Sequence, residues 1–104
     1  MVTQESPRLT HQSLKVLQVF LESPRGAYSG ADIRRKTRLF SGTLYPILLR
    51  FEEAGILKSS WENADPRQLG RPRKRLYKIT GHGIKVANEA FRELGLTDRE
   101  WVWA

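Results

Sequence analysis

Apolar residues recur along the chain in helical and strand-like blocks separated by turn signals. After a polar stretch over residues 1–9, Thr10 stands where a helix cap belongs, and Leu14, Leu17 and Leu21 follow at helical spacing. Val16 and Phe20 widen that apolar face. Glu22-Ser23-Pro24-Arg25-Gly26 ends the helix, because proline cannot continue it and glycine permits a turn. Ala27-Tyr28-Ser29 fits a very short strand. A second helix opens at Ser29 or Gly30 and runs roughly over residues 30–38, with Ile33 as its main core residue. The turn Arg38-Leu39-Phe40-Ser41-Gly42 leads to a third helix capped by Ser41 or Thr43, in which Leu44, Leu48 and Phe51 repeat on one side with Ile47 beside them. Pro46 is tolerated in the opening turn of a helix, which argues for a start near Thr43. Gly55 reads as its stop.

Residues 57–62 and 75–79 pair as a hairpin, the second strand carrying Leu76, Tyr77 and Ile79. The residues between them, Asn63 to Lys74, are rich in Pro, Gly and Asp and read as a protruding loop. Thr80 caps a last long helix over about residues 81–94, with Ile84, Ala87, Phe91 and Leu94 as its stripe and Gly95 as its stop. Thr97-Asp98-Arg99-Glu100 matches a capping box, which places Trp101-Val102-Trp103 on a short final turn. The order is helix, short strand, helix, helix, strand, loop, strand, helix: an α+β, mostly α, winged helix-turn-helix. It divides into an N-terminal arm (1–9), a domain (10–95) and an aromatic tail (96–104).

Charge adds the first hint of function. Eighteen Lys and Arg against eleven Asp and Glu in 104 residues give a net charge of +7, and such a domain attracts polyanions. There is no cysteine, which excludes disulfides, thiolate metal sites and thiol catalysis. The two histidines, His11 and His82, lie far apart and in no ligand spacing. No nucleophile elbow, phosphate-binding glycine loop or paired-carboxylate motif is present, so neither an enzyme nor a cofactor is expected. The polar N-terminus and the lack of a long apolar run point to a cytoplasmic protein.

In a helix-turn-helix the third helix lies in the major groove of DNA. With Leu44, Leu48 and Phe51 in the core, Ser41, Thr43, Tyr45, Pro46, Leu49 and Arg50 face outward. Hydroxyls and backbone N–H groups at such a helix start suit phosphate oxygens. Arg50 reaches either DNA or Glu52 and Glu53 of its own helix. Arg34, Arg35, Lys36 and Arg38 serve either the dipole of the second helix or passing phosphates. The loop between the strands is the densest signal: Arg67, Arg71, Arg73, Lys74, Arg75 and Lys78 crowd together with Asp65 as the acid nearby. Self-repulsion works against such a cluster unless a polyanion neutralises it, and Gly70-Arg71-Pro72-Arg73 suits an arm in a minor groove.

From about Leu14 to Leu94 the chain resembles the PadR-like transcriptional regulators. Ser41-Gly42-Thr43-Leu44-Tyr45-Pro46, continuing through Leu48, Arg50, Phe51, Glu52, Gly55, Ile56 and Leu57, carries the resemblance, together with Arg75-Leu76-Tyr77-Lys78-Ile79-Thr80 and Gly83. The resemblance implies a homodimer on a pseudo-palindromic double-stranded DNA operator, most often as a repressor. It implies DNA roles for Ser41, Thr43, Tyr45 and Pro46 and for the basic wing; Arg50, Lys36, Arg38, Arg71, Arg73, Lys74 and Arg75 complete the expected contact set. The chain departs from the pattern at Gly26-Ala27-Tyr28, with a shifted Gly30, and resembles the short branch without an extended C-terminal helical domain. Phe20, Phe91, Trp101 and Trp103 are then the candidate dimer residues, and Trp101 or Phe91 could hold a flat aromatic effector. A winged helix that docks an acidic protein partner is the alternative to DNA binding, and RNA is a further polyanion to exclude.

Overall fold

The computed structural model describes residues 9–95. The first helix, α1 (His11–Glu22), starts where expected: the Thr10 hydroxyl accepts the Ser13 N–H at 3.2 Å. Val16, Leu17, Val19 and Phe20 are all buried, so α1 runs through the middle of the domain rather than across its surface. The short strand β1 (Tyr28–Ser29) feeds directly into α2 (Gly30–Thr37). Ser29 and Asp32 form a full capping box, with reciprocal backbone-to-side-chain bonds of 3.0 and 3.1 Å. Thr37 closes the other end from inside the core, its hydroxyl donating to the Ile33 carbonyl at 2.8 Å.

The third helix, α3, spans Ser41–Glu53 and so begins earlier than Pro46 suggests. Its cap residue is Phe40, whose carbonyl accepts the N–H groups of Thr43 and Leu44 at 3.0 and 2.9 Å. Pro46 therefore lies inside the helix and removes the bond to the Gly42 carbonyl. Gly42 is exposed, so its carbonyl stays open to solvent rather than being buried without a partner, and the helix continues. Leu44, Ile47, Leu48 and Phe51 are buried as their spacing predicts.

Strands β2 (Leu57–Trp61) and β3 (Arg75–Ile79) make the hairpin, and β1 adds to the other side of β3, giving an antiparallel sheet in the order β1-β3-β2. Tyr77, at the centre, pairs with Tyr28 on one side and Ser59 on the other; burial pushes its phenol pKa up. The hairpin tip is not all loop. Asp65 caps a single turn, α4 (Pro66–Leu69), accepting the Arg67 N–H at 3.0 Å; the Asp-Pro pair is a helix-start signal. Helix α5 (Gly81–Glu93) begins at Thr80, whose hydroxyl accepts the Gly83 N–H at 2.9 Å and donates to the Gly55 carbonyl at 2.6 Å. Gly83 lets α5 lie against the chain entering β2: an added Cβ would collide with the Ile56 carbonyl oxygen and sit 2.8 Å from Ile79 Cγ1.

One core joins these elements, from Leu14 and Phe20 on α1 through Ile33, Leu44, Phe51 and Ile56 to Ile79, Ala87 and Phe91. Fully burying each large apolar side chain contributes roughly 1.5–3 kcal/mol before conformational entropy is set against it. Leu94, expected on the stripe of α5, is instead 56% exposed just beyond the helix end. The architecture is a winged helix-turn-helix: α2 and α3 are the helix-turn-helix, and the hairpin is the wing.

Candidate nucleic-acid interface

The outward side of α3 is set by what its inward side buries. Ser41, Gly42, Thr43, Tyr45, Pro46, Leu49 and Arg50 are all exposed. No side chain caps α3, so its first N–H groups remain available to an anion, where the helix dipole favours negative charge. Arg50 forms no ion pair with Glu52 or Glu53. Glu52 is engaged elsewhere: its carboxylate accepts the Ser59 hydroxyl at 2.5 Å and an Arg75 N–H at 3.3 Å.

Tyr45 is 47% exposed, and its ring lies against the start of α2. An added Cβ on Gly30 would strike the Tyr45 hydroxyl and come within 2.8 Å of its ring carbon Cε1. This explains the displaced glycine at the start of α2, which sequence reasoning registered only as a departure from a family pattern. Next along the same helix end stands Asp32. The Ser29 N–H and then its hydroxyl hold the Asp32 carboxyl below the usual carboxylate range, with the positive charges of Arg35 and of Lys74 adding to the effect. Lys74 immediately precedes the returning strand of the wing. Tyr45 thus lies against the start of α2, and Ser29, the cap of that helix, pairs with Leu76 on the returning strand of the wing.

Within the wing the cations divide. Arg71 grips Glu62 with two nitrogens at 2.7 and 3.0 Å, and the Lys74 backbone N–H adds a bond to the same carboxylate at 3.1 Å. The Arg71 guanidinium, then this N–H, holds the Glu62 carboxyl at about 2 instead of 4.5. Arg73 donates through Nε to the Ala64 carbonyl at 2.8 Å. Arg75 donates through Nε to Ser59 at 2.8 Å and stacks over Trp61, 5.6 Å from the ring centroid. Arg67, Lys78 and the Lys74 ammonium make no ion pair among the described residues. On α2, Arg35 pairs with Asp32, and Lys36 lies 5.9 Å from the Tyr28 ring centroid. Arg38 occupies the left-handed region at φ +60°.

The PadR-like family of transcriptional regulators matches over residues 27–89. The chain belongs to that family. Among solved structures, this PadR-like protein is similar to a PadR-like transcription factor from Bacteroides fragilis, at 24% identity and TM-score 0.62, covering 83% of this chain and 87% of that one. It is also similar to a transcriptional regulator from Clostridium thermocellum, at 28% identity and TM-score 0.62, covering 82% and 83%. A third likeness, at 23% identity and TM-score 0.66, is to reduced AbfR of Staphylococcus epidermidis bound to DNA; it covers 91% of this chain and 64% of that one. The chain spans less than two thirds of the AbfR length. No curated protein matches it by sequence.

Two of the expected dimer residues of this PadR-like chain are already used within the described domain. Phe20 is fully buried, and its ring meets the ring of Tyr28 edge-on at 5.4 Å and 82°; it is a core residue of the described domain. Phe91 is 8% exposed and belongs to the same core, which leaves little of its ring for a partner or a planar ligand. Trp101 and Trp103 lie outside the described residues. No helix among the described residues is long and apolar enough to cross a membrane, and no group of His, Asp and Glu among them could hold a metal. Sequence reasoning missed the Glu52–Ser59–Arg75 joint and the Glu62–Arg71 clamp, because both depend on cross-strand register. It also passed over Phe40, although the position just before Ser41 invites attention.

Proposed function

We propose that this PadR-like regulator binds a specific double-stranded DNA site through α3 and the wing, as a homodimer and a repressor acting in the cytoplasm. Ser41, Thr43, Tyr45, Pro46 and Arg50 face the major groove. Lys36, Arg38, Arg71, Arg73, Lys74 and Arg75 follow the phosphates, with the wing tip at the neighbouring minor groove. The observation that carries the reading is that Tyr45 of the exposed α3 row lies against Gly30 at the start of α2, next to Ser29, which pairs with Leu76 on the returning strand of the wing. Groups that must touch one duplex need to lie on one surface, and phosphate contacts fix register while base contacts specify sequence.

Pairing within the wing does not disqualify its arginines. A guanidinium has five N–H donors, and Arg73 commits only Nε, at 2.8 Å, to the protein. Two copies reading successive major grooves, about 34 Å apart, would require a pseudo-palindromic site. The exposed Leu94 at the end of α5 is a described apolar group free to enter such a dimer.

Selection from a random duplex pool, followed by gel-shift titration at one stated salt concentration, tests the proposal. The wild-type chain should enrich a site with two half-sites, and Tyr45→Ala and Arg73→Ala should each weaken binding about tenfold, which is roughly 1.4 kcal/mol. No enrichment at low ionic strength, or wild-type affinity in both variants, would overturn it. Light scattering on the purified chain decides the dimer.

A further inference from the structure

The turn into α3 holds two residues that local physics disfavours. Phe40 occupies the cap position, where Ser, Thr, Asp or Asn would bond the free N–H groups; it makes no such bond and its side chain is 81% exposed. Arg38 holds a left-handed backbone conformation, at φ +60°, that glycine or asparagine adopts with less strain. A single exposed apolar residue needs no explanation. Here, however, Phe40 gains neither burial nor a cap, and the residue two positions before it also sits against its backbone preference. Departures from local preference that gather at one place mark a functional site more often than a structural one.

Phe40 lies beside Ala31, Arg34, Arg35, Arg38 and Leu39 around a shallow hollow. Three arginines share the lining of this hollow with an apolar ring, immediately before Ser41 at the front of α3, and one of them, Arg35, is paired with Asp32. A DNA strand answers both halves of this chemistry: its phosphates match the arginines, and the 5-methyl group of thymine is the apolar feature that a groove offers a phenyl ring. We propose that Phe40 is a specificity residue of this regulator, reading a thymine methyl at the edge of the half-site while Arg38 holds the adjoining phosphate. The inference rests on the DNA-binding reading above and adds a base preference to it.

The test uses the duplex enriched by the wild-type chain, so enrichment itself settles the parent reading first. Each thymine of the half-site is replaced in turn by deoxyuridine, which deletes only the methyl group. One position should weaken wild-type binding about fourfold, the worth of one buried methyl-sized group. The same replacement should leave Phe40→Ala unchanged. Phe40→Ser restores a cap, so its melting temperature should rise while its discrimination at that position disappears, which separates lost contact from lost fold. If no thymine is methyl-sensitive, or if Phe40→Ala keeps the sensitivity, the proposal fails. It also fails if Phe40→Ser changes the oligomeric state or the binding of an acidic peptide while DNA selection is unaltered, because Phe40 would then belong to a protein interface.

Discussion

The front of α3 and the wing approach the same task with opposite use of charge. The exposed row of α3 carries hydroxyls, an aromatic ring and Arg50, and apart from Tyr45 resting on Gly30 its side chains have few partners within the protein. The wing carries far more charge, yet Arg71, Arg73 and Arg75 are tied to Glu62, Ala64, Ser59 and Glu52. A count of cations along the sequence therefore overstates what the wing offers to a polyanion. Some of its arginines hold the hairpin in shape, and others are spare. For α3 the count understates, because its offer lies in unused backbone donors and in side chains kept clear by the core behind them.

Breaking the joint between the two regions should have the largest effect. Glu52 on α3 is the acceptor for Ser59 on β2 and Arg75 on β3. In Glu52→Ala both donors lose it, and a hydrogen bond to a charged group contributes about 1.5–3 kcal/mol before exposure discounts it. A loss of about 1–2 kcal/mol is expected, seen as a fall in melting temperature of roughly 5–10 °C for a domain of this size. A change within about 1 °C would mean that the wing stands without this tie.

Gly30→Ala should separate stability from binding. The obstacle to the new Cβ is the far end of the Tyr45 side chain, which can swing into solvent. Stability should change by less than about 1 kcal/mol, since alanine also favours the helix. Operator affinity should fall about tenfold, or roughly 1.4 kcal/mol, because Tyr45 has been moved. Unchanged affinity in this variant would show that the placement of Tyr45 on α2 has no bearing on DNA.

The spare and tied cations of the wing should differ in how salt acts on them. Arg67→Ala and Lys78→Ala each remove a charge that makes no ion pair among the described residues, so each should reduce the slope of log affinity against log salt by about one where its charge meets a phosphate, while melting is unmoved. Arg71→Ala should lower protection of the wing amides from hydrogen exchange as well as the affinity. Equal behaviour of all three would erase the distinction between tied and spare.

What was legible in the sequence follows from how local each feature is. Apolar spacing placed Leu44, Ile47, Leu48 and Phe51 in the core, since helical periodicity is set within a few residues. Thr10 and Thr80 act as caps for the same reason. α3 starts ahead of the position that Pro46 suggests, because the bond Pro46 removes belongs to Gly42, whose carbonyl is exposed to solvent. Phe20 reads as a candidate dimer residue because nothing in the sequence reveals that α1 is covered on nearly all sides. The partners of Arg71 and Arg75 lie nine and sixteen or more residues away, and such pairings follow from strand register, which charge patterning along the chain does not encode.

The smallest expected effect concerns protons at the Glu62–Arg71 clamp. The Arg71 guanidinium, which this pairing keeps protonated even more firmly than usual, lowers the Glu62 carboxyl from 4.5 to about 2 in the folded chain. A carboxyl whose folded value is depressed stabilises the fold fully above its unfolded value and loses that contribution as the pH falls toward its folded value. The stability the clamp contributes is therefore complete above about pH 5 and fades between pH 4.5 and about 2. Because the pair is partly exposed, its contribution is modest and weakens further in salt. Glu62→Gln has no carboxyl to protonate, so its melting temperature should fall less steeply than wild type over that interval, and the two should differ most near neutral pH. Parallel curves from pH 2 to pH 7 would show that the Glu62–Arg71 clamp does not couple to folding.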